Sequence, residues 1–136
     1  MERAGKARVL LADDHETILA RERSILDKDF EVVGEVTNGR DAVDEVRRLD
    51  PDVLVIDISM PVLDGLQAAS QFRRKGYRTK VVFLTVHEDR DFVEAAFAAG
   101  ASGYVTKSRL ASDLVEAVRA VLRGCTFVSH SIPPCY

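Results

Sequence analysis

Five short runs that are apolar at nearly every position, residues 8–12, 31–36, 52–56, 80–84 and 103–106, limit what this chain can fold into. A strand that is apolar throughout, rather than at alternate positions, must be covered on both faces. Strands separated by helical patterns are joined by right-handed crossovers, so the sheet is predicted to be parallel and doubly wound, an α/β fold of (βα)5 type. The intervening segments carry the helical period. Over 111–123, Leu114, Val115, Val118, Val121 and Leu122 fall on one face, and Gly124 follows as a C-cap residue. Ala42, Val43, Val46 and Leu49 mark a helix over 41–49, which Asp50-Pro51 ends because the residue before proline is pushed out of the α region. Leu66, Ala69 and Phe72 mark a helix over 64–74, and Val93, Ala96 and Phe97 one over 92–99 before Gly100. Ile18, Leu19, Ile25 and Leu26 form the inward stripe of the first helix.

A chain of 136 residues can bury one core, so residues 7–124 are read as a single domain and 125–136 as a tail or the start of a linker. The net charge is −3, with no basic run able to neutralise a row of phosphates, so DNA binding by this chain alone is not expected. No apolar run reaches the roughly 18 residues of a membrane span, and the first residues lack the apolar segment of a signal peptide; a cytoplasmic location is expected, with no membrane partner. Cys125 and Cys135 lack the spacing of a zinc site or a disulfide framework.

In an open parallel sheet the chemistry lies beyond the carboxyl ends of the strands. Here those ends carry Asp13-Asp14 after the first strand, Asp57 after the third, Thr85 at the fourth and Lys107 after the fifth. Each has an ordinary structural reading by itself: Asp13-Asp14 as a helix start, Asp57 as turn chemistry before Pro61, Lys107 as a surface lysine and Thr85 as a β-branched strand residue. All four on strand ends in this order is a different matter. Three carboxylates brought together repel one another unless a cation joins them, and Mg2+, a hard ion that prefers oxygen ligands and phosphate, fits that role. With the metal in place, the Asp57 carboxylate can act as nucleophile toward a phosphoryl group, while Lys107 and the Thr85 hydroxyl take the phosphoryl oxygens. His15, His87 and His130 are too scattered along the chain for a histidine metal site, and His15 is read as helping to start the first helix.

These residues, with Asp57-Ile58-Ser59-Met60-Pro61, Asp64-Gly65, Leu84-Thr85 and Tyr104-Val105-Thr106-Lys107, closely resemble the receiver domain of two-component response regulators. Asp14-His15, Thr85-Val86-His87 and Ala98-Ala99-Gly100-Ala101-Ser102-Gly103-Tyr104 are similar to the NarL/LuxR type. The resemblance implies a flavodoxin-like five-stranded sheet in the order 2-1-3-4-5. It implies Asp57 as phosphoacceptor, Asp14 and Asp57 as direct metal ligands, Asp13 as a ligand through water and the Ser59 carbonyl as a further ligand. Thr85 and Tyr104 would be a switch pair, Tyr104 turning inward as the Thr85 hydroxyl moves toward the phosphoryl group. Ser59 and His87 would tune the lifetime of the phosphate. The phosphate would come from a sensor histidine kinase, and phosphorylation would favour a homodimer. Such proteins control transcription through an output domain outside a chain of this extent. They are regulators rather than metabolic enzymes, limited to Mg-dependent self-phosphorylation and self-dephosphorylation.

Three positions depart from that pattern. Glu22 falls in the middle of the inward stripe, where relatives have an aliphatic residue; a lone buried carboxylate costs several kcal/mol, about as much as losing a core side chain, so Glu22 is expected to pair with an arginine or to face a partner. Ser108 follows Lys107 where many receivers have proline. Val86 is bulkier than the usual neighbour of the phosphorylation site, which predicts slower exchange with phosphodonors. Two other classes fit less well. A haloacid dehalogenase-type hydrolase needs an aspartate where Ser59 stands, and a flavin binder needs a phosphate loop where the acidic pair stands.

Overall fold

The computed structural model describes residues 5–129; residues 1–4 and 130–136, with His130 and Cys135 among them, lie outside that span. The chain alternates β1 (Arg8–Ala12), α1 (Glu16–Leu26), β2 (Glu31–Val36), α2 (Gly39–Leu49), β3 (Val53–Ile56), α3 (Gly65–Lys75), β4 (Lys80–Thr85), α4 (Arg90–Ala98), β5 (Gly103–Thr106), α5 (Leu110–Leu122) and β6 (Phe127–Val128). The helices α2 to α5 begin and end within two residues of the positions that their caps and periodicity predict. Asn38 caps α2 by accepting the Asp41 N–H at 2.8 Å, and Asp64 with Gln67 forms a capping box at the start of α3.

All strand pairs are parallel, and the order is β2-β1-β3-β4-β5-β6. The doubly wound parallel sheet is as expected, but the five-strand count is corrected to six. Phe127 and Val128 lie in the span read as a tail, and they pair with Gly103 and Tyr104 on the open edge of β5. Two residues are too few to show a period, which is why the sequence gives no sign of this strand.

Both sheet faces are covered, as the uninterrupted apolar strands demand. On one face α1 and α5 pack Leu19, Leu26, Leu114 and Val118 onto Val9, Leu11, Val55 and Val105. On the other, α2, α3 and α4 pack Val46, Phe72 and Ala96 onto Leu10, Leu54 and Phe83. Adjacent strands end level with one another, because Asp13 N–H donates to Val36 O and Asp57 N–H to Ala12 O, each at 3.0 Å. This aligns the residues that follow β1 and β3.

One glycine holds α3 against that edge. A Cβ on Gly65 would lie 2.2 Å from the Asp57 carbonyl oxygen and 2.9 Å from the Phe83 ring, while its N–H donates to Ile58 O at 2.8 Å. No bulkier residue allows the helix start to come this close.

Candidate functional site

Asp13 and Asp57 stand side by side at the carboxyl ends of β1 and β3, and both are buried. Between them reaches Lys107, in the single 3-10 turn after β5, its Nζ 2.9 Å from Asp57 Oδ2 and 2.9 Å from Asp13 Oδ2. Burial works against the ammonium charge, but the bonds to Asp57 and Asp13 outweigh it and hold the Lys107 pKa above its ordinary value. The Lys107 ammonium is the cation at Asp13 Oδ2, and no other donor among the described residues reaches that buried oxygen. Asp14 turns outward beside them.

His15 belongs to this cluster, although the sequence reading placed it only at the helix start. It does occupy the N-cap position of α1, but its side chain makes no capping bond. Instead its ring Nδ1 lies 3.0 Å from Asp13 Oδ1 and 3.2 Å from Asp14 Oδ1, and its backbone N–H donates to Asp13 Oδ1 at 2.8 Å. One donor atom from each of Asp13, Asp14, His15 and Asp57 falls within 4.8 Å of all the others. Mostly hard oxygen donors gathered around two buried carboxylates are a set that fits a divalent cation.

The far side of the rim is organised around the backbone of His87. The buried Thr85 hydroxyl accepts the His87 N–H at 3.3 Å, and the Tyr104 hydroxyl donates to the His87 carbonyl at 2.8 Å. Tyr104 is fully buried. Burial first, then the negative charges of Asp89, Asp57 and Glu88, push its phenol pKa up. The His87 ring stacks on Phe92 with centroids 4.0 Å apart, and its Nε2 lies 3.1 Å from Ser59 Oγ. Ser59 and His87, distant in sequence, are thus in contact beside Asp57, and Ser59 N–H points to Asp57 Oδ1 at 3.3 Å. Val86 is exposed. A basin of about 620 Å3 opens here, lined by Asp14, Ser59, Met60, His87 and Phe92 among others.

The sequence profile of the response regulator receiver domain matches residues 9–119. This chain belongs to the response regulator receiver family. The receiver is 38% identical over 126 residues to the response regulator UvrY of Escherichia coli, spanning 91% of this chain and 58% of that one. It therefore covers less than two thirds of such a relative. Among solved structures it is similar to a LuxR-family two-component response regulator from Aurantimonas sp. SI85-9A1, with TM-score 0.89, 33% identity and coverage of 94% and 93% of the two chains. It is also similar to the isolated receiver domain of RcsB from Salmonella enterica serovar Typhimurium, with TM-score 0.85, 27% identity and coverage of 94% and 96%.

Beneath the receiver's rim, one expectation is overturned. Glu22 has neither an arginine partner nor a place on the surface: it is 1% exposed, and neither carboxylate oxygen has a hydrogen-bond partner among the described residues. The i+4 spacing from Ile18 that put it in the inward stripe outweighs its charge. Burial, then the charge of Asp13, raises its pKa well above the usual carboxylate range, which favours the neutral acid. A second feature without a sequence signal is Asp113 in α5, buried and bonded by Arg109, Ser112 and Ser129. Among the described residues no helix is long and apolar enough to cross a membrane.

Proposed function

We propose that this receiver is a phosphorylation switch in which Asp57 accepts a phosphoryl group from a sensor histidine kinase. The observation that carries the reading is the Lys107 ammonium bridging Asp13 and Asp57 at 2.9 Å within a tight carboxylate cluster. A structural ion pair needs only one carboxylate, and a rim with this surplus of negative charge is suited to a divalent cation and a phosphoryl group.

The Asp57 carboxylate attacks the donor phosphorus; the new O–P bond forms as the bond from phosphorus to the donor's leaving atom breaks, and the electron pair departs with that leaving group. Lys107 and the Thr85 hydroxyl take two of the phosphoryl oxygens. Asp14 and Asp57, the Ser59 carbonyl and, through water, Asp13 are the groups that would hold magnesium. Bound there, the ion neutralises charge on the phosphoryl oxygens. Ser59 and His87 stand over the basin from which water reaches the acyl phosphate, so they tune its lifetime, and the exposed Val86 narrows the approach of donors. Thr85 and Tyr104, joined through the two backbone groups of His87, carry the change to the surface around α4, β5 and α5.

The RcsB domain was solved with the phosphomimetic BeF3−, and RcsB dimers have been seen on DNA. These relatives support a regulator that dimerises on phosphorylation and acts on transcription through an output domain; its cytoplasmic location, without membrane or direct DNA contact by this segment, is part of the proposal. The test is incubation with acetyl phosphate and Mg2+ followed by intact mass measurement. Wild type gains one phosphoryl group; Asp57→Asn does not, and neither does wild type with chelator. Equal labelling of Asp57→Asn would overturn the reading.

A further inference from the structure

β6 is attached to β5 through more than a strand pair. Ser129 N–H donates to the Tyr104 carbonyl at 2.9 Å, and the Thr106 N–H donates to Ser129 Oγ at 3.1 Å. The Ser129 hydroxyl proton in turn goes to Asp113 Oδ2 at 2.8 Å. Asp113 also accepts from Arg109 Nε at the same Oδ2, at 2.9 Å, and from Ser112 Oγ at Oδ1, at 3.2 Å. Ser129 and Asp113 are 1% and 2% exposed, so these bonds are made away from water, where a vacated partner is costly. Burial disfavours the Asp113 charge, yet the bonds from Arg109, Ser129 and Ser112 together lower its pKa, so it stays a firm acceptor.

The position of this chain of bonds gives it meaning. Ser129 grips β5 at Tyr104 and at Thr106. Tyr104 is tied by its hydroxyl to the loop after Thr85, and Thr106 is the residue before Lys107. The two points that hold the C-terminal strand are therefore the two points at which β5 meets the phosphorylation rim. We propose that Asp113 and Ser129 form a latch that positions the backbone leading to Lys107 and passes the state of the rim to the segment following α5. Both are positioning residues, and neither touches the reacting atoms. When a phosphoryl group engages Lys107 and Thr85, both ends of β5 become fixed, and the bonds to Ser129 tighten with them. Coupling of this kind is reciprocal: a latched β6 favours the engaged rim by the same factor that the engaged rim favours the latch.

The inference rests on the proposed phosphoacceptor role, and amide hydrogen exchange followed residue by residue separates the two. Mg2+ and beryllofluoride, which mimics an aspartyl phosphate, are added to the whole chain. The expected result is at least about fivefold slower exchange at Thr106, Phe127 and Ser129 as well as at Ser59 and His87, equivalent to about 1 kcal/mol of coupling. In Ser129→Ala the slowing persists at Ser59 and His87 but is lost at 106, 127 and 129, and Ser129→Thr, which keeps the hydroxyl, restores it. Slowing at Ser59 and His87 with no change at 106, 127 and 129 in wild type would overturn the latch and leave the phosphoacceptor role standing. No slowing anywhere would overturn both. The wild-type comparison decides the matter even if the alanine variant does not fold.

Discussion

At the level of single residues, Glu22 has the clearest energetic signature. A carboxyl group taken out of water with no partner is tolerated only as the neutral acid, and its pKa in the folded protein therefore lies well above its ordinary 4.5. Below that ordinary value both the folded and unfolded states hold the proton, and the fold keeps its full stability. As pH rises, the unfolded chain gives up its proton first, and stability falls until the pH passes the folded-state pKa. Replacing Glu22 by leucine removes this loss. Urea unfolding should show Glu22→Leu more stable than wild type by about 1–3 kcal/mol at about pH 8, with a smaller gain at about pH 5. Equal stabilisation at both would mean that the Glu22 pKa is not raised by folding. The inward place of Glu22 was legible from its spacing, but its lack of a partner was not. Whether an arginine reaches a given point depends on rotamers set by the whole core.

At the level of elements, the alternation of strands and helices was readable because each strand is apolar on both faces and each long helix carries one stripe. β6 was not, since its two residues gain their meaning from the edge of β5 and from Ser129, not from any pattern of their own. The fit of α3 was legible only as the Asp64-Gly65 pair that the family resemblance rests on in part. The structure supplies the reason: the helix start lies against the carbonyl of Asp57 itself, with no room for a methyl group. Gly65→Ala must push α3 from β3 or twist the residue that presents the carboxylate. The expected cost is about 1–3 kcal/mol by chemical denaturation. It should be accompanied by slower labelling with acetyl phosphate, whereas a loss of stability at unchanged labelling rate would show that the loop absorbs the shift elsewhere.

At the level of the whole molecule, a parallel sheet gathers the ends of all its strands on one rim. That is why Asp13, Asp14, Asp57, Thr85 and Lys107 could be read together from sequence before any distance was known. What topology could not supply was closure between side chains, such as the turn of His15 toward the two aspartates or the contact of His87 with Ser59. The rim gathers carboxylates whose repulsion a bound cation would relieve, which would link metal binding to folding. Mg2+ at about 100 times its Kd should raise the unfolding free energy of wild type by about 2.7 kcal/mol. Asp13→Asn should be more stable than wild type without metal and gain less from it, which thermal unfolding with and without Mg2+ would register; an equal gain would remove Asp13 from the metal site. The lysine that spans the two acids adds a last point. It is a counterion already in place between Asp13 and Asp57, so a divalent ion binding there would have to displace a charge already installed. Lys107→Ala should therefore bind Mg2+ more tightly by titration calorimetry even as it loses phosphoryl uptake. On the proposed reading, the atom that joins the two acids at rest is the one that would hold the incoming phosphoryl group.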